Sequence, residues 1–186
     1  MPRAGLTPAS VVAEAAAVAD ENGYAQLTLA QVAVRLGVAL PSLYKHVRGL
    51  GDLQRRLAVQ ALRELREAVT RATIGRSGSD ALRGLAGAYW QYAHDHPGRY
   101  VATLRAPASD EESVEAANEL LEVVYAVLAG YGITGDDAVD ATRMLRAVLH
   151  GYVALQEAGG FGMPRDVRRS FDRAVDVLDV ALQSWQ

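Results

Sequence analysis

The sequence predicts an all-α fold of about nine helices, and three observations lead there. Alanine, leucine, valine and arginine dominate the 186 residues, a composition that favours helix. Apolar residues recur at three- and four-residue spacing, and β-branched alternation is scarce. Helix start and stop signals punctuate the chain at intervals suited to single helices. With 50% hydrophobic residues the chain can build a sizeable core, which argues against disorder.

Thr7-Pro8 places a capping hydroxyl before a proline in the first turn, and Val11, Val12, Ala15, Val18 and Ala19 then repeat until Asn22-Gly23 stops the first helix. Thr28 and Gln31 form a Thr-x-x-Gln capping box, with Leu27 and Val32 placed for a hydrophobic staple. Val32, Ala33 and Leu36 give the second helix one apolar face, and Gly37 suits the left-handed residue that ends it. Pro41 then suits the first position of a short third helix, on which Leu43 and Val47 share a side. Gly49 and Gly51 break the chain. Asp52 can cap a long helix over 52–73 with a buried stripe of Leu53, Leu57, Ala61, Leu65, Ala68, Val69 and Ala72. At 1.5 Å per residue that helix runs about 30 Å.

Ile74 to Ser79 reads as a flexible linker. A helix follows from about Asp80 to His96 with Leu82, Leu85, Ala86, Tyr89 and Ala93 inward, then a short one over 99–105. Ser109-Asp-Glu-Glu112 reads as another capping box, opening a helix to Gly130. Thr134-Gly-Asp-Asp137 opens the next, closed by Gly159-Gly160, and a last helix carries Phe171, Val175, Leu178, Leu182 and Trp185.

Residues 27–47 therefore read as a helix-turn-helix, with Ser42, Lys45 and His46 left outward on the second helix and Tyr44 beside them. A helix presented in this way fits the major groove of DNA, where hydroxyl and basic groups hold phosphates. Net charge is −3, which alone says nothing of nucleic acid. Its distribution is uneven. Arg35, Lys45, Arg48, Arg55 and Arg56 face only Asp52 over 35–56, whereas 106–142 carries nine acidic residues before any basic one. One end turned to a polyanion would produce this asymmetry. From the pattern alone, a helical interaction module and a helical-bundle enzyme remain alternatives. Against an enzyme, there is no Gly-x-Ser-x-Gly, phosphate loop, zinc motif or paired-glutamate spacing, and no cysteine.

The run Gly37-Val-Ala-Leu-Pro-Ser-Leu-Tyr-Lys-His-Val47, after Leu27-Thr-Leu-Ala-Gln-Val-Ala, closely resembles the tetracycline-repressor (TetR) family of transcriptional regulators. The resemblance implies a helix-turn-helix DNA-binding domain over 1–51. A connecting helix over 52–73 would lead into a helical ligand-binding and dimerisation domain over 52–186. It also implies a homodimer that represses from a palindromic operator and is released by a small-molecule effector, with no cofactor and no membrane partner. Carried over by position, Thr28, Tyr44, Lys45 and His46 are the expected phosphate contacts, and Leu40, Pro41 and Ser42 fall where bases and backbone are met; Ala39 and Arg48 are expected to meet DNA beside them. The chain departs from the family at Ala30, where some members carry a base-reading arginine, and at Leu50, where a lysine is frequent. Arg3 could reach a minor groove from an N-terminal arm.

His150-Gly151 matches part of a Trp-x-x-x-His-Gly signature of one TetR subgroup, although Arg146 stands in place of the tryptophan. Tyr89, Tyr100, Tyr125, Arg146 and His150 are the expected ligand-binding residues, and an inward Arg146 would favour an anionic ligand. Phe171, Val175, Leu178, Leu182 and Trp185 are the expected dimer surface, through a four-helix bundle of the last two helices of each subunit. No metal is expected. His94 and His96 lie two apart on a helix and point to different sides. With no apolar signal-peptide core in the opening Met-Pro-Arg-Ala-Gly and no membrane-length apolar run, a cytoplasmic location is expected.

Overall fold

A computed structural model describes residues 6–105 and 108–185, so the expectation for Arg3 lies outside the described residues. Nine α-helices are present among the described residues, joined by turns and one short 3-10 segment. In order they are α1 (Pro8–Asn22), α2 (Leu29–Leu36), α3 (Leu40–Leu43), α4 (Leu50–Thr73), α5 (Gly78–Asp95), α6 (Pro97–Ala102), α7 (Glu111–Ala129), α8 (Gly135–Glu157) and α9 (Val167–Gln183). Two compact units divide the chain: residues 1–64 with 95–117, and residues 65–94 with 118–186. The first unit is therefore larger than the 1–51 segment, because α6 and the start of α7 belong to it.

Helix ends follow side-chain chemistry. Thr7 accepts the Ser10 amide proton at 3.1 Å while Ser10 returns a hydroxyl oxygen to the Thr7 amide at 3.0 Å. At α7 the cap is Asp110 rather than Ser109: its carboxylate accepts from the Ser113 amide at 3.2 Å and from the Ser113 hydroxyl at 2.7 Å. Helix α4 begins two residues before Asp52, whose carboxylate instead accepts the Arg48 amide proton at 3.0 Å.

The core of the first unit joins Val11, Ala15, Val18 and Ala19 of α1 to Leu27, Val32, Leu43, Val47, Leu53, Leu57 and Ala61. Ala102 of α6 belongs to the same cluster. Helix α6 lies backbone-on-backbone against α1. A Cβ at Gly98 would stand 2.1 Å from the carbonyl carbon and oxygen of Ala19, so only glycine fits there. Beside this contact the Arg99 guanidinium donates to Asp20 at 2.7 Å and to Glu64 at 3.0 Å, tying α6 to α1 and α4. Burial works against the charge on Arg99, but these two carboxylates outweigh it and raise its pKa.

In the second unit Phe171 of α9 is buried against Trp90 of α5 at 4.4 Å between ring centroids and meets Tyr152 of α8 edge-on at 5.7 Å. Asp179 of α9 is buried yet accepts hydrogen bonds from Ser79 at 2.7 Å, Tyr131 at 2.6 Å and Gln183 at 3.1 Å. Burial pushes its carboxyl up, and the three donors together hold it below the ordinary carboxylate value.

Gly98→Ala is expected to lower stability by about 3 kcal/mol or more, since the clash is with backbone and cannot be relieved by a rotamer change. Urea denaturation followed by circular dichroism measures it; an unchanged midpoint would show that α6 does not press on α1 in this way.

Candidate nucleic-acid interface

The helix-turn-helix is built from two helices with very different means of support. Helix α2 has a complete capping box: the Thr28 hydroxyl accepts the Gln31 amide proton at 3.3 Å, and the Gln31 side-chain oxygen accepts the Thr28 amide proton at 2.9 Å. Gly37 closes it at φ 66°, ψ 33°, in the left-handed region. Helix α3 is a single turn that starts at Leu40, with Pro41 at its second position. Tyr44, Lys45 and His46 follow as a turn rather than as further helix, through bonds from the His46 amide (2.8 Å) and the Val47 amide (3.0 Å) to the Leu43 carbonyl. Leu43 and Val47 are both buried in the core and fix this turn in place.

The outward side chains fall into two groups. Tyr44, Lys45 and Arg48 are exposed and His46 is half-buried, so the turn after α3 presents a phenol, an ammonium and a guanidinium within five residues. Ala39, Leu40 and Pro41 are exposed and Ser42 is half-buried, so the start of α3 is almost entirely apolar. Ala30 and Val34 are exposed one turn apart on α2, Val34 at 78%. The position of Val34 was missed in the sequence because its neighbours Val32 and Ala33 carry the buried stripe.

Charge is more concentrated than the sequence distribution implied. Arg35 is bridged to Glu14 and Glu21 of α1. Arg55 pairs with Asp110 at 3.0 Å and Glu112 at 3.2 Å, and Arg56 pairs with Asp52 at 3.2 Å. The acidic stretch thus neutralises part of the basic one instead of standing apart from it. Lys45, the only lysine in the chain, and Arg48 take part in none of the ion pairs found among the described residues. Thr28 keeps its place at the start of α2, but its hydroxyl donates to the Gln31 side chain at 2.9 Å and must turn to reach a phosphate.

Comparison with known proteins decides what this arrangement belongs to. Residues 82–178 match the family described as tetracyclin repressor-like, C-terminal domain. The HTH-type transcriptional regulator Rv0681 of Mycobacterium tuberculosis is 38% identical over 158 residues, 84% of this chain and 72% of that one. The chain belongs to the TetR family. As a TetR-family protein it is a DNA-binding transcriptional regulator and not an enzyme. The HTH-type regulator YobS of Bacillus subtilis is 32% identical over 175 residues, 94% of this chain and 91% of that one. A solved protein from Rhodococcus sp. RHA1 shares the fold at TM-score 0.79 with 25% identity, each chain covered to 98%. A variant TetR from Acinetobacter baumannii, solved with minocycline, shares it at TM-score 0.74 with 23% identity, covering 96% of this chain and 97% of that one.

The residues expected at the other TetR-family sites are placed unevenly. Tyr89, Tyr125 and His150 are half-buried and lie on α5, α7 and α8 of the second unit. Tyr100 is buried in the first unit, on α6. Arg146 is exposed, which removes the reason for expecting an anionic ligand. Phe171, Val175, Leu178 and Leu182 are buried within the protomer's own core and cannot also form a surface; Trp185 is half-buried. Sequence periodicity found the apolar stripe of α9 correctly but not which partner covers it. The surface of α9 is instead Val177 and Val180, 66% and 65% exposed, with Leu155 exposed on α8. Among the described residues no group of three or more His, Cys, Asp or Glu side chains could hold a metal ion, and no helix is long and apolar enough to cross a membrane.

Proposed function

We propose that the protein is a ligand-responsive repressor that binds a palindromic operator as a homodimer and is released by a small molecule. The observation that carries the operator surface is the pair of unbridged cations, Lys45 and Arg48, beside Tyr44 and His46 on an exposed turn fixed by buried Leu43 and Val47. These four grip phosphates on either side of the groove, and Ala39, Leu40, Pro41 and Ser42 meet the bases. Residues 1–51 carry this role. Residues 52–186 carry the effector and the dimer contact, with α4 the connecting helix. The effector is met by Tyr89, Tyr125 and His150. Minocycline in the Acinetobacter relative supports a cyclic, hydrogen-bonding effector for that fold. The two subunits pair through α8 and α9, on the surface that includes Leu155, Val177 and Val180, because exposed valines on a long helix favour burial against a second copy. Effector binding shifts the population toward a dimer whose two turns no longer match successive grooves.

A gel shift on DNA from upstream of the protein's own coding sequence tests the operator surface. Affinity is expected to fall steeply with salt, and Lys45→Ala to weaken binding evenly across sequences and reduce the salt slope by about one. An unchanged slope would remove Lys45 from the interface. Sedimentation tests the dimer surface: Val177→Asp is expected to give folded monomer at micromolar concentration, whereas a dimer in that variant would place the contact elsewhere.

A further inference from the structure

We propose that Leu40 reads the C5-methyl group of a pyrimidine in the major groove, so that the operator is selected by methyl-bearing bases rather than by guanine edges. The inference deepens the operator reading above and rests on it. Direct hydrogen-bond readout relies on bidentate side chains: arginine or lysine on guanine, asparagine or glutamine on adenine. From Leu27 to Gly49 the chain has no asparagine, aspartate or glutamate, and a single glutamine. That glutamine, Gln31, commits its oxygen to the Thr28 cap at 2.9 Å, so it cannot present both edges of its amide to a base. Of the two arginines in the stretch, Arg35 is held by Glu14 and Glu21. Arg48 and Lys45 follow α3 on the exposed turn, beyond its outward end. What the outward end of α3 offers is Ala39, Leu40 and Pro41, with Leu40 37% exposed.

The only apolar functional group on a major-groove base edge is the pyrimidine C5-methyl, carried by thymine or by 5-methylcytosine. Cationic Lys45 and Arg48 next to an apolar patch suit a polyanion with buried methyls better than they suit an apolar protein face. Removing one methyl from water against Leu40 corresponds to about fourfold in affinity.

Operators selected from random duplexes by the full-length protein are re-synthesised with each thymine replaced singly by deoxyuridine, and with each T·A pair replaced singly by a C·G or a 5-methylcytosine·G pair. The expected result is one thymine per half-site at which deoxyuridine weakens binding about fourfold. At that position 5-methylcytosine is expected to bind better than cytosine, and the thymine preference to vanish in Leu40→Ala. Leu40 is an exposed position, so helical content measured by circular dichroism should match the parent. A gain on adding the methyl to cytosine equal to the loss on removing it from thymine identifies the methyl itself as the recognised group; 5-methylcytosine that binds no better than cytosine would overturn the inference. Selected operators with invariant guanine facing Leu40, or a thymine preference that survives Leu40→Ala, would overturn this inference and leave the operator reading intact. Failure to retain any DNA at low salt would overturn both.

Discussion

Burial of Leu43 and Val47 is the constraint on which the DNA-facing surface depends. A four-residue helix makes too few internal hydrogen bonds to persist alone. Its single turn survives because Leu43 and Val47 are buried in the core cluster that also holds Leu27, Val32, Leu53 and Leu57. Once those two side chains are fixed, the residues between them have no choice of direction. Tyr44 and Lys45, between the two buried side chains, face out. The capping boxes of α1 and α2 and the backbone contact of Gly98 with Ala19 serve the same end, by making the surrounding core rigid enough to hold a short insert.

Electrostatics then sorts which cations are available to a polyanion. The first unit carries many arginines, but most are answered by carboxylates from α1, α4 or the start of α7. Pairs near the surface add little stability. Their effect is on where positive potential remains. With Arg35, Arg55 and Arg56 balanced, the remaining positive charge of the helix-turn-helix sits at Lys45 and Arg48, next to the apolar start of α3. On the proposed operator surface, orientation on the phosphates and choice of sequence fall to neighbouring but chemically different residues.

Much of this was legible in the sequence. Capping residues are local, so Thr7, Thr28 and Gly37 announced their helix ends, and the TetR-family layout followed from the run 27–47. Single-turn α3 was read as longer because Leu43 and Val47 have helical spacing that a turn also satisfies. Ser109 and Asp110 are both good capping residues, and the local sequence does not choose between them; Asp110 caps α7 through the Ser113 amide and hydroxyl. What the sequence could not show was which surfaces meet. Phe171, Val175, Leu178 and Leu182 look like an exposed stripe until they are found buried in the protomer, Phe171 against Trp90 of α5 and Tyr152 of α8. Ion pairs between residues dozens of positions apart, such as Arg99 with Asp20, leave no local signal.

The central claim, that the turn after α3 is the surface that meets DNA, is tested most directly through Lys45, whose amine is the only lysine amine in the chain. The full-length protein is acylated with a water-soluble reagent, with and without a selected operator duplex, and modification at Lys45 is followed by peptide mass. The account predicts that operator DNA slows acylation of Lys45 severalfold and that raising the salt restores the free rate. Equal rates with and without bound operator would contradict it.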